Sequence, residues 1–138
     1  MTKEEILAFL TANPICYLAT VDGNVPHVRG MMMFRADGDG IVFHTGLGKD
    51  LTNQLEKNPA VELCTYNPEQ NVQVRVCGTA EFVNDLALKQ AIVAERPFLQ
   101  PMVEQTGYDA FLLFRVKDAQ ATVWTMADNM APKTYVAL

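Results

Sequence analysis

Short strand-like runs separated by turn signals constrain the fold of this chain more than any other feature. The clearest run follows Asn67-Pro68, where three valines alternate with three other residues: Val72, Val74 and Val76 with Gln73, Arg75 and Cys77. Successive residues of a strand face opposite sides, so this run has one buried face and one polar face. Strands joined by short turns pair antiparallel, and many of them with few helices are typical of a small barrel.

Apolar spacing, prolines and glycines predict the order of the other elements. We expect helices over residues 4–10, 49–58 and 85–95, and strands over residues 15–21, 27–35, 41–45, 60–66, 71–83, 111–116 and 121–126. The run from Gly30 to Phe34 is apolar at successive positions, which predicts a strand buried on both faces. The whole chain, 1–138, is predicted to be a single mainly β domain with flanking helices, of the α+β class.

Composition excludes several classes of protein. The 138 residues carry a net charge of -5, whereas nucleic-acid binding needs a basic face. No apolar run approaches the roughly 20 residues of a membrane span, and the polar start Met1-Thr-Lys-Glu-Glu does not predict a signal peptide. We therefore expect a cytoplasmic protein without nucleic-acid or membrane partners. The chain contains no serine, which excludes a Ser-His-Asp hydrolase.

The turn from Thr45 to Lys49 has the composition of a phosphate site. Gly46 and Gly48 let the backbone approach a ligand, and the predicted helix that follows presents free N–H groups at its positive end. Lys49 adds a full charge and Thr45 a hydroxyl. The alternative is an ordinary strand-to-helix turn with a solvated lysine.

Other residues are candidates for contacts to a cofactor ring. Gln73 offers a donor and an acceptor to the edge of a heterocycle, or it simply faces solvent. Arg29 needs an anionic partner or solvent, and a surface ion pair would satisfy it. The methionines of the Gly30-Met31-Met32 run are more often core residues, but the backbone of a free strand edge can bond a pyrimidine ring. Trp124 belongs to the core, to an interface or to a flavin contact. Together with the phosphate turn, these groups suggest a nucleotide-like cofactor such as FMN.

The two histidines, His27 and His44, do not predict a metal site. If a tight turn pairs Ala36 with Ile41, His44 lies opposite Met33, and His27 lies roughly 20 Å further along the strand. No third ligand has a suitable spacing, so we expect no bound metal.

In order and spacing, these motifs resemble the pyridoxamine-phosphate-oxidase-like flavoproteins, the FMN-binding split barrels, over about residues 5–127. The matching segments are Arg29-Gly-Met-Met-Met, Phe43-His44-Thr45 followed by Lys49, Gln54-Leu-Glu-Lys-Asn-Pro59, the run from Gln73 to Glu81, and Trp124. The pair His44-Thr45 is also similar to the nitroimidazole-reductase branch of this family.

The resemblance implies a six-stranded antiparallel split β-barrel that forms a homodimer with two FMN sites at its interface. The implied cofactor contacts are Arg29, Gly30, Met31 and Met32 at the ribityl chain and ring, Thr45 and Lys49 at the phosphate with His44 beside them, and Gln73 and Trp124 from the neighbouring strand or the other subunit.

The chain departs from the true oxidase in three places. Phe34 stands where the oxidase has a substrate lysine, Gly48 stands where it has a basic residue before the phosphate lysine, and the Arg-x-His substrate motif is absent from residues 128–138. Oxidation of pyridoxamine phosphate is therefore not expected.

The predicted function is that of an FMN-dependent oxidoreductase of the reductase type, acting on a small aromatic or nitro compound. No catalytic side chain is identified, and His44 is the one candidate for binding or protonating a substrate. Two alternatives stay open. One is a non-enzymatic flavin- or haem-binding module or sensor, and the other is a reductase that uses a deazaflavin.

Overall fold

The computed structural model describes residues 1–138 as a mainly β domain with flanking helices, which confirms the predicted fold class. The helices are α1 Lys3–Ala12, α2 Asp50–Lys57, α3 Leu86–Glu95 and α4 Gln100–Thr106, with 3-10 turns at Pro97–Leu99 and Tyr108–Ala110. The strands are β1 Ile15–Asp22, β2 Val25–Met32, β3 Arg35–Asp37, β4 Gly40–Gly46, β5 Ala60–Asn67, β6 Val72–Val83, β7 Phe111–Thr125 and β8 Val136–Ala137. None of the helices has the length and apolar character needed to cross a membrane.

Two of the four helices begin at side-chain caps, and α2 and α4 do not. Thr2 and Glu5 form a capping box at the start of α1, and the Asp85 carboxylate accepts the N–H of Leu88 at the start of α3. These contacts satisfy N–H groups that have no partner within a helix. In contrast, α2 starts after Lys49 without any side-chain acceptor. Its first N–H groups therefore stay available to another acceptor.

All strands belong to one antiparallel sheet in the order β2-β1-β5-β6-β7-β4-β3, with β8 paired to β7. The two edge strands, β2 and β3, follow each other in the chain. The N–H of Met33 donates to Pro14 O at 2.8 Å and extends the β1–β2 pair, whereas the N–H of Phe34 donates to Val42 O at 2.8 Å and extends the β3–β4 pair. We call this change of partner at Met33–Phe34 the seam, and at the seam the outer edge of β2 is unpaired.

The core fills the inside of this curved sheet. It contains 20 buried apolar residues from α1, α2 and the strands, and the rings of Phe43 and Phe114 stack in it with centroids 5.1 Å apart. A second cluster of seven buried residues packs α3 and α4 against β4 and β7. Strand β4 is consequently buried on both faces, because Phe43 belongs to the first cluster and Val42 to the second.

In one copy of the chain the outward face of the methionine run is not covered, with Met32 43% exposed, and burial on both faces stays a prediction. Strand β2 ends at Met32, and its outward side chains are exposed, with Val28 67% exposed. The physical reason is its place at the edge of the sheet. One sequence does not distinguish an apolar run that is buried on both faces within its own chain from an apolar run that another molecule covers.

The two strands predicted over residues 111–116 and 121–126 are in fact one strand, β7. Between them Asp118 adopts a φ of 50°, and the register with β6 shifts between Cys77 and Thr79, as at a β-bulge. Gly78 permits this close approach, because a Cβ there would lie 2.8 Å from Lys117 O. The sheet has eight strands and not the six that the resemblance implied, since β3 and β8 are short additions of three and two residues.

Candidate functional site

A cavity of about 800 Å³ opens between β2, β4 and the start of α2. Leu99 and Met102, from the segment that follows α3, line another part of its wall. Seven of the nine predicted cofactor residues line this cavity: Arg29, Gly30, Met31, Met32, His44, Thr45 and Lys49. The structure therefore brings together the methionine strand and the phosphate-type turn, which lie far apart in the sequence.

The turn between β4 and α2 forms a polar wall of the cavity. Thr45 is buried at the end of β4, and Thr52 of α2 donates its hydroxyl to Gly46 O at 2.7 Å, which fixes the turn. Lys49 is exposed, and the four ion pairs of the chain all lie elsewhere. A free ammonium group beside the uncapped, positive end of α2 is an arrangement suited to an anion.

Arg29 points from β2 toward the inside of the sheet. Its Nη1 donates to Thr20 Oγ1 at 2.7 Å and to Leu18 O at 3.3 Å, and its Nη2 donates to Gln54 Oε1 at 2.7 Å. Burial lowers the pKa of Arg29, and the negative charge of Asp50 opposes this effect. No role was predicted for Thr20 or Gln54, since nothing in the strand and helix patterns indicates that they meet.

His44 is half-buried beside the ring of Phe111, with centroids 5.4 Å apart. Burial, together with the positive charges of Arg96 and Lys49, lowers the pKa of His44 to about 4. The imidazole is therefore neutral at neutral pH and can share a hydrogen bond. A role of His44 in binding or protonating a substrate stays a prediction.

Arg96, at the end of α3, was not recognised in the sequence, where Arg-Pro indicates only the end of a helix. Its Nη2 donates to Met33 O at 2.7 Å, and its guanidinium lies over the ring of Phe34, 5.4 Å from the ring centre. Its Nη1 is buried and has no acceptor. Phe34 does not line the cavity, and the Arg96 guanidinium places a positive charge next to it. The absence of a lysine at position 34 is therefore weaker evidence about the substrate than expected.

Gln73 and Trp124 lie on the other face of the sheet. They are directly paired between β6 and β7, and Gln73 also pairs with the exposed Tyr66. Both line a second cavity of about 470 Å³ next to residues 128–134, where the Trp124 indole N–H donates to Asn129 Oδ1 at 2.8 Å. One copy of the chain therefore does not bring these two residues to the first cavity.

The register assumed for His44 is wrong. Ala36 does pair with Ile41, but His44 pairs with Leu113 of β7 and not with Met33, because the chain changes partner at the seam. His27 pairs with Thr20. No group of three or more His, Cys, Asp or Glu side chains is arranged to hold a metal ion.

We expect the imidazole of His44 to titrate near pH 4 in the folded protein, against an ordinary pKa of 6.5. The unfolded chain takes up this proton at higher pH than the folded one, so the free energy of unfolding should fall as the pH is lowered from about 6.5 to about 4. Histidine NMR titration measures the pKa, and His44→Gln should remove this part of the pH dependence in denaturant unfolding. An imidazole that titrates near pH 6.5 would contradict the prediction.

Comparison with known proteins extends these observations. Pyridoxine/pyridoxamine 5'-phosphate oxidase of Vibrio atlanticus is 38% identical over 81 residues, which are 57% of this chain and 38% of that protein. The enzyme of the same name from Maricaulis maris is 40% identical over 68 residues, which are 49% of this chain and 31% of that protein. The chain thus spans about a third of the length of the curated relatives it matches.

Solved structures show the same fold. A NimC/NimA family protein from Clostridium acetobutylicum superposes with a TM-score of 0.79 at 22% identity, covering 98% of this chain and 92% of that one. A pyridoxamine 5'-phosphate oxidase-related, FMN-binding protein from Nostoc punctiforme gives a TM-score of 0.65 at 16% identity, covering 99% and 96%. The split-barrel fold expected from the resemblance is therefore confirmed. The family model described as pyridoxamine 5'-phosphate oxidase matches residues 2–125, and the chain belongs to this family.

Proposed function

We propose that this protein is an FMN-dependent oxidoreductase of the reductase type. The observation that carries the proposal is the cavity of about 800 Å³, which joins a phosphate-type turn to the unpaired edge of β2. Cofactor sites have volumes of this order. FMN is also the ligand named for the relative from Nostoc punctiforme.

The residues of the cavity fit the parts of FMN. Lys49, the Thr45 hydroxyl and the free N–H groups at the start of α2 are the contacts that a phosphate monoester needs. Gly30 leaves open space, because a Cβ at this position would meet nothing within 4 Å. Together with Met31 and Met32, it offers backbone N–H and C=O groups to the polar edge of a flat ring.

Bound FMN supplies the hydride and electron transfer, and the protein supplies binding, orientation and electrostatics. The chain contributes mainly positive charge, from Arg29 and Lys49 in the wall and from Arg96, which acts on His44. Asp50 is the one acid in the wall. A fixed positive potential stabilises negative charge that develops on an acceptor during reduction.

This charge distribution favours acceptors whose oxygens gain negative charge, such as nitroaromatics and quinones. Their flat apolar rings match the side chains of Met32, Leu99 and Met102 in the same wall. Neutral His44 can donate one hydrogen bond to such an oxygen. The substrate class proposed from the sequence is retained for this reason.

We also propose a homodimer in which the partner completes the site. The outer face of β1 and β2 is apolar and exposed, with Val28 67%, Tyr17 63% and Ile15 55% exposed. Strand pairing places Tyr17 on the same face as Cys64, Cys64 on the same face as Arg75, and Arg75 on the same face as Gln73. Burial of this face against a second copy would remove the apolar surface from water. It would also carry Gln73 and Trp124 to the partner, which supports the assignment of both residues to the neighbouring subunit's flavin.

The FMN assignment predicts that the phosphate provides much of the affinity. Lys49→Ala should weaken FMN binding by about tenfold or more, the effect of losing one charge-assisted contact, and leave riboflavin binding nearly unchanged. Flavin fluorescence quenching measures both dissociation constants. Lys57→Ala, in the exposed last turn of α2, is the matched control and should change neither constant. Equal losses for FMN and riboflavin, or a Soret band in the purified protein, would contradict the assignment.

The dimer proposal predicts that a charge on the outer face separates the subunits. Tyr17→Lys should yield a monomer in sedimentation experiments and reduce FMN affinity, because the partner's contacts are lost. Leu86→Lys adds the same charge at a residue 54% exposed on α3 and should leave the dimer intact. A stable wild-type monomer with FMN bound at micromolar concentration would overturn the proposal.

The substrate proposal is tested by turnover of FMN-loaded protein with reduced nicotinamide or dithionite as donor. We expect reduction of quinones and nitroaromatics and little oxidation of pyridoxamine phosphate. His44→Phe should lower turnover of the neutral acceptors by about tenfold, the scale of one hydrogen bond. Efficient oxidation of pyridoxamine phosphate, without reduction of the neutral aromatics, would refute the reductase assignment.

A further inference from the structure

The guanidinium of Arg29 is held by oxygens that carry no net charge. Thr20 Oγ1 and Gln54 Oε1 each accept from it at 2.7 Å, and Leu18 O accepts at 3.3 Å. Thr20 also donates its hydroxyl to Gln54 Oε1 at 2.5 Å, which locks the two acceptors together. Thr20 is 1% exposed and Gln54 7% exposed, and neither residue lines the cavity.

We propose that Thr20 and Gln54 are positioning residues that hold Arg29 for the ligand without themselves neutralising its positive charge. The inference rests on the proposed function, because the ligand that uses this charge is FMN or the anion formed on its reduction. Thr20 and Gln54 act through Arg29 and do not themselves touch the ligand.

All the acceptors that Arg29 has within the chain are neutral. A guanidinium has five N–H donors, and the contacts with Thr20, Leu18 and Gln54 leave donors without a partner in the chain. None of the four ion pairs includes Arg29, although every other arginine except Arg96 has a carboxylate within 4.0 Å. A partly buried arginine without a carboxylate is unfavourable for the folded protein alone, which is typical of a group kept for a ligand.

A purely structural role makes a different prediction. If the cluster only fastened α2 to β1 and β2, a carboxylate at position 54 would hold Arg29 at least as well, since charge-assisted hydrogen bonds are stronger than neutral ones. For a ligand site, the same carboxylate would be harmful, because it would cancel the charge that attracts the ligand. Gln54→Glu therefore separates the two roles with hardly any change in side-chain size.

The experiment compares FMN dissociation constants and thermal midpoints of the wild type, Gln54→Glu, Gln54→Met and Thr20→Val. We expect Gln54→Glu to weaken FMN binding by about tenfold or more, while its thermal midpoint without ligand stays at or above that of the wild type. Gln90→Glu, at an exposed position on α3, adds the same charge away from the cavity and should change FMN affinity by less than about twofold. Wild-type FMN affinity in Gln54→Glu would overturn the proposal.

A second measurement needs no ligand. In the wild type the side-chain N–H signals of Arg29 should be protected from exchange with water, and this protection should be lost in Thr20→Val and in Gln54→Met but kept in Gln54→Glu. Unchanged protection in the first two variants would show that Thr20 and Gln54 do not position Arg29. If the wild type bound no FMN, the proposed function would fail, and the exchange measurement would still decide the positioning role.

Discussion

The change of hydrogen-bond partner between Met33 and Phe34 is the constraint on which the rest of the structure depends. One residue completes the β1–β2 pair and the next joins β4, so the two edges of the sheet are held side by side without pairing to each other. An unpaired strand edge normally invites aggregation. Here the edge of β2 lines a cavity together with the turn between β4 and α2, so its free backbone groups are available to a ligand.

The seam also groups positively charged side chains. The seam brings Arg29 of β2 close to Lys49 of the turn, and α3 adds Arg96 through its bond to Met33 O. These three cations form no ion pair with the chain, whereas the cations on the outer strands are paired, such as Arg115 and Lys117 with Glu81. Burial lowers the pKa of both Arg29 and Arg96, whereas Lys49 is exposed. Partly buried arginines without a carboxylate partner are typical of groups kept for a ligand.

Local patterns predicted most elements, because strand alternation, turn residues and helix spacing act over a few residues. They also predicted seven of the residues that line the cavity, since the Gly-rich turn and the methionine run each carry their own signal. Contacts between residues that are distant in the sequence are not visible in these local patterns. Thr20, Gln54 and Arg96 meet their partners over 34, 25 and 63 positions in the chain, and the β-bulge at Asp118 depends on Gly78 of another strand.

For the methionine run, the sequence predicts burial but not what covers the run. Its apolar residues require burial, but the sequence does not say whether the cover is a helix, another strand or another molecule. In the structure its inward residues, such as Met31, pack against the core, while its outward residues stay exposed on the face that also carries Tyr17 and Ile15. Gln73 and Trp124, which were predicted to contact the cofactor, lie on this outer face as well. In the proposed homodimer, a second copy of the chain would cover this apolar surface and would bring Gln73 and Trp124 to its own cavity. Cofactor binding and subunit association would then depend on the same surface, because one contact would serve both.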